Sequence, residues 1–360
     1  MRALVCDGPG SAVLRDVAVP APGPGEVLVR VAVALTCGTD LKIVRRGHPK
    51  IPFPLTLGHE WAGVVEKAGR GAAFSPGTRV TSAVSSPCGA CEACRAGREN
   101  LCASAFDRPL FGAFADFLLV PERLVKNGLR RIPDGMPDET AALLDPLASA
   151  VRGLNRVGDA RGKDVLIVGT GPIAALLFFL LRGKEGEETG RAAERRVVIA
   201  GRRAERLAFF ERNLAEVAHI GPSSRAGEAG APPPVFTFKE VFSSLSPSSS
   251  FSLVIDTTGD PGVIEALPAL ASDGGTVLLF AGLPAEARVA IDAHAVHYRE
   301  VSIVGSFHYT PREVDEALGL LSGGAIPAAE IVSARRPLAE WEAAFDVARA
   351  GAALKVGVFP

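Results

Sequence analysis

The chain lacks a large net charge of either sign: its 360 residues carry 39 Lys and Arg against 40 Asp and Glu, a formal net charge of −1 at pH 7. Binding to a polyanion depends on a surplus of Lys and Arg, so we expect no nucleic-acid partner. The N-terminus lacks a long apolar segment behind a basic start, which argues against a secretory signal. With 48% apolar and 22% charged residues, the sequence predicts a cytoplasmic globular protein, and its length favours two domains.

A convincing membrane span is also missing. The longest uncharged, mostly apolar run covers 17 residues, 165–181, which is near the lower limit for crossing a bilayer. Gly169, Gly171 and Pro172 interrupt this run and favour a buried strand, a tight turn and a buried helix. No second span or aromatic belt supports insertion, so we expect no membrane partner.

Cysteine is scarce but clustered. Only six are present, and Cys88, Cys91, Cys94 and Cys102 lie within 15 residues. Without a secretory signal, metal binding explains this spacing better than a disulfide framework. Four thiolates in C-x2-C-x2-C-x7-C order suit tetrahedral Zn²⁺, and four protein ligands leave no position for substrate, so this site is expected to be structural. Free or redox-paired cysteines and an iron–sulfur cluster use the same residue type, and the second metal motif described below favours zinc.

The texture of the sequence changes near residue 138. Before it, short alternating runs at 26–35, 61–69 and 114–120 are punctuated by Pro and Gly and predict a compact β domain. After it, strand-like and helix-like segments alternate, which predicts a parallel sheet with helices on both faces. Residues 138–157 are predicted to form a helix with Asp138 as its cap. Three polar stretches are predicted to be surface loops or insertions: 182–196, 221–234 and 243–250.

A dinucleotide signature opens the second half of the chain. Residues 165–174 give G-x-G-x-x-A after an apolar strand and before a helix, the context that the motif requires. Gly169 permits the tight turn, Gly171 lets the backbone approach a pyrophosphate at the helix N-terminus, and Ala174 still allows close helix–strand packing. The candidate cofactor-binding residues of this turn are Gly169, Thr170, Gly171, Pro172 and Ile173.

The next strand bears on the choice of cofactor. An NAD site places Asp or Glu at the end of this strand for the ribose 2'-hydroxyl, whereas this chain has Gly201, Arg202 and Arg203, with no acid before Glu205. Guanidinium groups bind a 2'-phosphate through charge-assisted hydrogen bonds. Arg202 and Arg203 therefore favour NADP over NAD, although two arginines at a solvated helix start are an alternative interpretation.

A second metal motif is dispersed along the chain. Cys37 offers a thiolate, His59 an imidazole, and Glu60 and Asp145 offer carboxylates, and a catalytic zinc needs three protein ligands and one open position. Spacing alone does not show that these residues converge. Taken singly, Cys37 is more often a small buried apolar residue, and His59 is more often a structural histidine. His59 and Glu60 are sequence neighbours, so in a regular strand they would face opposite sides.

Taken together, "CGTD", "LGHEWAGVV", "CGACEACRAGRENLC" and "VLIVGTGPIA", in this order and separation, closely resemble the zinc-containing medium-chain alcohol dehydrogenase family, nearest its polyol (sorbitol) and threonine dehydrogenase branch. The resemblance covers nearly the whole chain. It implies an α/β fold, with a Rossmann doubly wound parallel sheet and a GroES-like (chaperonin-10-like) β-barrel catalytic domain. The implied domains are 1–150, with a structural zinc lobe at about 85–105, then a Rossmann domain at 151–308 and a return to the catalytic domain at 309–360. A homodimer or homotetramer is also implied.

The resemblance assigns roles to single residues. Cys37, His59 and Glu60 match catalytic zinc ligands, and Asp145 matches an acidic position that ligates the metal directly or through water. Thr39 matches the hydroxyl that receives the substrate's proton. Asp40 is expected to accept the other ring N–H of His59. Lys42 departs from the family, because many relatives carry a histidine there that extends the proton relay.

The expected function is that of a zinc-dependent oxidoreductase. It would transfer a hydride between a nicotinamide cofactor, with NADP favoured, and a secondary alcohol, polyol or amino alcohol and its ketone. Two zinc ions are expected per chain, one catalytic and one structural. The alternatives are a zinc-independent quinone or enone reductase and a non-catalytic protein that keeps the fold and the structural zinc. His308 and Tyr309 either line the substrate pocket or have local structural roles. For His59 and Glu60 to reach one metal, the backbone must be irregular there, and Gly58 would allow it; otherwise Glu60 alternates on the metal with water or substrate while Asp145 helps to hold the ion.

Overall fold

The computed structural model describes residues 1–47, 51–160, 163–183, 196–213, 216–219 and 250–360. These residues form two compact units, Met1–Val151 with His308–Pro360 and Arg152–Phe307. Most of the three predicted insertions, 182–196, 221–234 and 243–250, lies outside the described residues.

The first unit is mainly β-structure. Its strands before residue 152 are Arg2–Gly8 (β1), Ser11–Asp16 (β2), Val27–Leu35 (β3), Leu55–Thr56 (β4), Glu60–Ala68 (β5), Arg79–Ser82 (β6), Phe117–Val120 (β7) and Leu129–Arg131 (β8). Its helices in the same stretch are Gly38–Arg46 (α1), Glu92–Arg95 (α2), Glu122–Asn127 (α3), Asp138–Ala141 (α4) and Leu144–Val157 (α5), the last of which crosses the boundary between the units.

The second unit alternates strands and helices. Its strands are Val165–Val168 (β9), Val197–Gly201 (β10), Glu216–His219 (β11), Phe251–Asp256 (β12), Ala271–Leu279 (β13) and Ser302–Gly305 (β14). Its described helices are Pro172–Gly183 (α6), Ala204–Arg212 (α7), Pro261–Ile264 (α8), Leu267–Leu270 (α9) and Ala293–Tyr298 (α10). The chain then returns to the first unit with Pro311–Ser322 (α11), Ala328–Ile331 (α12), Val332–Pro337 (β15), Trp341–Ala350 (α13) and Lys355–Phe359 (β16).

The main sheet of the first unit brings distant segments together. Its order is β15-β16-β3-β5-β6-β8, with β7 also paired to β3, and a second sheet has the order β2-β1-β4. At one end of β3, Leu35 pairs with Gly357 of β16 on one side and with Glu60 of β5 on the other. The last strand of the chain therefore lies two strands from β5, across the end of β3.

The core of the first unit is apolar and closely packed. Trp61, Phe114 and Phe345 are almost fully buried, and the Phe114 and Phe345 rings meet edge to face, with their centroids 5.7 Å apart. Burial of such large side chains is the main favourable contribution to folding, and it fixes the strand ends that carry polar residues.

All the strand pairs in the sheet of the second unit are parallel, in the order β11-β10-β9-β12-β13-β14. This is the strand order of a Rossmann sheet, with the first strand of the unit at the centre and the order reversing beside it. The central strand β9 is buried along its whole length, as expected for a parallel sheet covered on both faces. The expectation of a Rossmann domain and a β domain is confirmed.

Two details of the predicted elements are wrong. The single helix predicted at 138–157 is two helices, α4 and α5. The predicted cap Asp138 is the first residue of α4, Pro137 is its N-cap, and the carboxylate of Asp138 accepts a 2.5 Å hydrogen bond from the Arg79 guanidinium instead.

The apolar run at 165–181 divides between β9 and α6, with a turn between them. Among the described residues, no helix is both long and apolar enough to cross a membrane.

Candidate active site and metal centres

Cys37 lies where β3 ends and α1 begins. It is the N-cap of α1, with an extended backbone, and its Sγ accepts a 3.5 Å hydrogen bond from the Thr39 backbone N–H. A helix N-terminus favours a negative charge and so favours a thiolate. Thr39 is half-buried in the first turn of the same helix, and Lys42 is exposed to solvent.

The turn before β5 explains how His59 and Glu60 share one site. Gly58 has a φ of +90°, and a Cβ at this position would lie 2.6 Å from the backbone nitrogen of Phe114. Only glycine tolerates both conditions. Because β5 begins at Glu60, His59 lies in this turn and does not follow the alternation of a strand. His59, Glu60 and Asp145 each place one ligand atom within 4.8 Å of the others.

Asp40 orients the imidazole of His59. Its side chain is completely buried, and Oδ1 accepts a 3.1 Å hydrogen bond from the Gly58 N–H and lies 3.3 Å from His59 Nδ1. A hydrogen on Nδ1 leaves the lone pair of Nε2 for a metal. Burial would lower the pKa of His59, but the negative charges of Asp40 and Cys37 outweigh it and raise that pKa well above its usual value.

Sequence reasoning missed Lys355, which lies at the start of β16. Its ammonium donates to Glu60 Oε2 and, at 3.3 Å, to the carbonyl oxygen of Thr36. Both ionic side chains are only 2% exposed. Burial would lower the pKa of Lys355, but Glu60, followed by Cys37, raises it above its usual value. The side chain of Glu60 therefore has a buried cationic partner beside the metal-ligand cluster.

Asp145, in the first turn of α5, is held by different partners. Its Oδ1 accepts a 3.1 Å hydrogen bond from the Val84 N–H and another from the Tyr309 hydroxyl. The Val84 N–H also donates to the Tyr309 oxygen, at 2.9 Å. Burial, followed by the charge of Asp145, raises the pKa of Tyr309 well above its usual value, so the hydroxyl keeps its proton and remains a donor.

His308 lies next to this network. Its Nε2 shares a 2.5 Å hydrogen bond with Ser85 Oγ, and its ring stacks on Tyr309 with the centroids 3.8 Å apart. Burial lowers the pKa of His308 to about 4, so the imidazole is neutral near pH 7. His308 and Tyr309 therefore support the Asp145 side of the site through local contacts, as one of the two interpretations of the sequence anticipated.

The donor atoms fit a zinc ion in chemistry and proximity. Cys37, Asp40 and His59 form one group within 4.8 Å, and His59 also belongs to the group with Glu60 and Asp145. A thiolate, an imidazole and a carboxylate are zinc ligands. The second oxygen of Asp40 is buried without a hydrogen-bond partner. A metal cation bound nearby would compensate the negative charge of this carboxylate.

The four clustered cysteines also converge. Their sulfur atoms all lie within 4.8 Å of one another, with 3.5 Å between Cys91 and Cys94 and 3.9 Å between Cys88 and Cys94. These distances exclude disulfide bonds, which are about 2.05 Å long. Burial would raise the pKa of Cys102, but the Cys88 N–H, at 3.3 Å, and the Ser104 hydroxyl outweigh it and lower that pKa to about 6. The lobe is therefore suited to hold one tetrahedral zinc through four thiolates.

The glycine-rich turn of the second unit has the geometry of a dinucleotide site. Gly169 has a φ of +119°, and a Cβ there would lie 2.1 Å from Thr257 Oγ1, so the turn requires glycine. Pro172 and Ile173 begin α6, whose N-terminus is suited to bind phosphate. Arg202 and Arg203 are exposed just before α7.

A further arginine, Arg206, contacts this turn and was missed by the sequence analysis. Its guanidinium donates a 3.2 Å hydrogen bond to the carbonyl oxygen of Thr170. Burial, followed by the positive charge of Arg203, lowers the pKa of Arg206. Arg206 comes three residues after Arg203, the N-cap of α7, and residues three apart at the start of a helix lie close together, which was the available signal.

Comparison with known proteins agrees with this geometry. Residues 23–133 match the alcohol dehydrogenase GroES-like domain. The chain is 32% identical to D-altritol 5-dehydrogenase of Agrobacterium fabrum, over 92% of this chain and 91% of the relative. The chain belongs to the zinc-containing medium-chain alcohol dehydrogenase family.

Two further relatives support this assignment. L-threonine 3-dehydrogenase of Coxiella burnetii is 29% identical over 95% of this chain and 94% of the relative. A zinc-binding dehydrogenase from Sinorhizobium meliloti, solved with NADP bound, superposes with a TM-score of 0.80 at 30% identity, over 100% of this chain and 99% of that one. The protein is accordingly an NAD(P)-dependent alcohol dehydrogenase with a GroES-like domain and a Rossmann domain.

Proposed function

We propose that this dehydrogenase oxidises a secondary alcohol group of a polyol or amino alcohol to the ketone, and catalyses the reverse reduction, with NADP as cofactor and two zinc ions per chain. The observation that carries the proposal is a pair of ligand groups that share His59: Cys37 and Asp40 on one side, and the buried Glu60 and Asp145 on the other. The two curated relatives named above act, by their names, on D-altritol and L-threonine, which supports a small hydroxylated substrate.

When bound by these residues, zinc would act as a Lewis acid toward the substrate oxygen. NADP would accept the hydride. The remaining work belongs to the chain. Asp40 fixes the ring of His59, and the hydroxyl of Thr39, in the first turn of α1, receives the proton of the substrate hydroxyl. Lys42 stands where many relatives have a histidine that extends the proton relay, and its side chain is exposed. The proton received by Thr39 therefore passes to solvent without a histidine at this position.

Different roles follow for the two acidic side chains. Glu60 is bound to Lys355, and this contact holds one of its oxygens on the side of β16. Asp145 has Oδ1 engaged by Val84 and Tyr309, which leaves its second oxygen for the metal or for a water on it. The partner of Glu60 is a cation that would repel a metal ion, whereas the partners of Asp145 are neutral. Asp145 would therefore be the resting carboxylate, and Glu60 would become a ligand when it moves away from Lys355.

Preference for NADP rests on the end of β10. This strand ends at Gly201 without a carboxylate, and Arg202, Arg203 and Arg206 follow. The mutual repulsion of Arg203 and Arg206 is relieved by an anion between them, and a 2'-phosphate is an anion that guanidinium groups bind well.

Assembly into a homodimer is part of the proposal. Among the described residues, β14 pairs only with β13 at one end of the parallel sheet, and Ile303 and the nearby Phe307 are 37% and 54% exposed. An exposed apolar edge strand is a template for pairing with another chain.

The unbonded cysteines among the described residues fit a reducing compartment such as the cytoplasm.

Zinc content and initial rates test the proposal together. Wild-type protein is expected to bind about two zinc ions per chain and to oxidise polyols or amino alcohols faster with NADP than with NAD. Cys37→Ser should lose the catalytic zinc and nearly all activity while keeping the structural zinc.

The same measurements identify the alternatives. One zinc per chain without turnover would indicate the non-catalytic protein, and activity on quinones or enones without zinc would indicate the reductase. Full alcohol oxidation by zinc-depleted Cys37→Ser would refute the mechanism. A clear preference for NAD would refute the role given to Arg202 and Arg203.

A further inference from the structure

Thr170 occupies the space in which a side chain at position 201 would begin. Gly201 is buried at the end of β10, and an ideal Cβ built on it would lie 2.2 Å from Cγ2 of Thr170. Real Cβ atoms do not approach another carbon so closely, so the methyl group of Thr170 and any side chain at 201 compete for one position.

The position of Thr170 is fixed from two directions. The preceding residue, Gly169, donates a 2.8 Å hydrogen bond to the carbonyl oxygen of Ala200, which ties the turn to β10 beside Gly201. The carbonyl oxygen of Thr170 accepts the hydrogen bond from Arg206. A β-branched side chain has few accessible rotamers, so the methyl group has little freedom to move away.

We propose that Thr170 is a specificity-determining residue that keeps an acidic side chain out of position 201. NAD sites place their Asp or Glu at the end of this strand, and here the methyl group of Thr170 takes its place, so the strand end remains without a carboxylate that would repel a 2'-phosphate. A change of cofactor preference therefore requires two coupled substitutions, at 170 and at 201. The effect on cofactor preference rests on the NADP preference proposed above. The steric coupling between positions 170 and 201 is independent of any cofactor.

Thermal stability without cofactor tests the coupling. Gly201→Ala adds only a Cβ and is expected to lower Tm by roughly 2–6 °C, as overpacking does. Thr170→Ala removes the methyl group and leaves Thr170 Cβ, 3.4 Å from the new atom, as an ordinary contact. Gly201→Ala should therefore lower Tm much less in the Thr170→Ala background than it does in the wild-type protein. Gly282→Ala is the matched control, because a Cβ there meets nothing within 4 Å, and its Tm should stay close to that of the wild type.

Cofactor binding tests the consequence. Dissociation constants for NADPH and NADH are measured by fluorescence titration of the zinc-loaded protein with Gly201→Asp, alone and together with Thr170→Ala. We expect the single variant to bind both cofactors weakly, and the double variant to shift the ratio of the two constants toward NADH by roughly tenfold or more, since a carboxylate now faces the ribose.

The two experiments fail in different ways. If Gly201→Ala keeps the wild-type Tm, or if Thr170→Ala does not restore it, the steric coupling is wrong. If Gly201→Asp alone shifts preference to NADH as far as the double variant does, Thr170 does not determine specificity. A wild-type protein that prefers NADH would refute the proposed NADP function and leave the Tm result to decide the coupling.

Discussion

At the scale of single residues, the ion pair of Lys355 and Glu60 is the most consequential contact that the sequence did not reveal. Both side chains are nearly inaccessible to water, and removal of charged groups from water costs more than their attraction returns unless hydrogen bonds complete the pair. Lys355 has a second acceptor in the carbonyl oxygen of Thr36, so the ammonium is well satisfied. Even a well-satisfied buried ion pair adds no more stability than packed apolar side chains would, so its presence here agrees with a role beside the metal-ligand cluster.

Lys355→Met is expected to lower the free energy of unfolding by about 3–5 kcal/mol, because it leaves Glu60 buried and unpaired. Chemical denaturation measures the loss. The matched control is Lys126→Met, which removes an exposed lysine paired with Glu122 and should change stability by less than about 1 kcal/mol. Lys355→Met with Glu60→Gln should recover part of the loss, and equal losses in the single and double variants would contradict this account.

His308 gives the protein an acid-sensitive contact. Burial sets its pKa in the folded state at about 4, against 6.5 for a free imidazole, so the unfolded chain takes up the proton first as the pH falls. The contribution of neutral His308 to the free energy of unfolding is therefore fully present above pH 6.5 and is lost as the pH falls toward 4. The backbone of His308 has a φ of +56°, a conformation that asparagine also adopts readily.

His308→Asn should remove this step, so that between pH 7 and pH 4.5 the mutant loses about 2 kcal/mol less stability than the wild type. Denaturation midpoints at several pH values measure the difference. A parallel decline in the two proteins would assign the acid sensitivity to other groups.

At the scale of elements, the cysteine lobe shows that local spacing can be enough. Cys88, Cys91 and Cys94 are separated by two residues each, and Cys102 follows eight residues later, so short loops limit how far apart the sulfurs can lie. The backbone N–H groups of Ala90 and Cys91 donate to Cys88 Sγ at 3.4 and 3.3 Å, which stabilises a thiolate. The sequence predicted this cluster correctly without knowledge of the surrounding fold.

Cys102→Ser is expected to lower the zinc content from about two to about one per chain and to lower Tm, because structural zinc contributes directly to folding. Elemental analysis after gel filtration measures the metal. Cys6→Ser is the control, since Cys6 is a buried thiol that donates to Gly8 O and lies outside both clusters; it should keep both zinc ions. Two zinc ions in Cys102→Ser would argue against the lobe as a metal site.

The boundaries of the helices are less evident from local sequence than the cysteine cluster is. The break between α4 and α5 separates what periodicity alone suggested to be one helix, and Pro146 is the residue that explains it. A proline is tolerated in the first turn of a helix but not in its interior, and Pro146 is the third residue of α5. The break places Asp145 in that first turn, within reach of Val84 and Tyr309.

At the scale of the whole molecule, each unit supplies one part of the chemistry: the first holds both candidate metal centres, and the second holds the glycine turn and the arginines. The exposed edge strand β14 belongs to the second unit. Antiparallel or parallel pairing of this edge with a second copy would satisfy its backbone groups and cover Ile303.

Ile303→Lys is expected to convert the dimer to a monomer, because a lysine on an edge strand discourages strand pairing. Size-exclusion chromatography with light scattering measures the mass. Val19→Lys, at a residue that is 48% exposed in the first unit, is the control and should remain dimeric. A wild-type monomer, or a dimeric Ile303→Lys, would show that assembly does not use this edge.

The sequence by itself determined the features that depend on short spacing: the four-thiolate cluster, the strand–turn–helix around Gly169, and the order of motifs that indicates the family. It also pointed to Gly58 as the irregular residue beside His59, because only glycine adopts the required backbone conformation. These features need few neighbours, so the local pattern carries them.

The tertiary structure alone decided which carboxylate has which partner. Lys355 contacts Glu60 across 295 positions of sequence, and Tyr309 contacts Asp145 across 164. No local pattern encodes such contacts: the first exists only once β16 and β5 both pair with β3, and the second only once the segment before α11 lies beside the start of α5. Likewise, the competition between Thr170 and a side chain at position 201 follows from the parallel pairing of β9 and β10, which places the turn after one strand beside the end of the other.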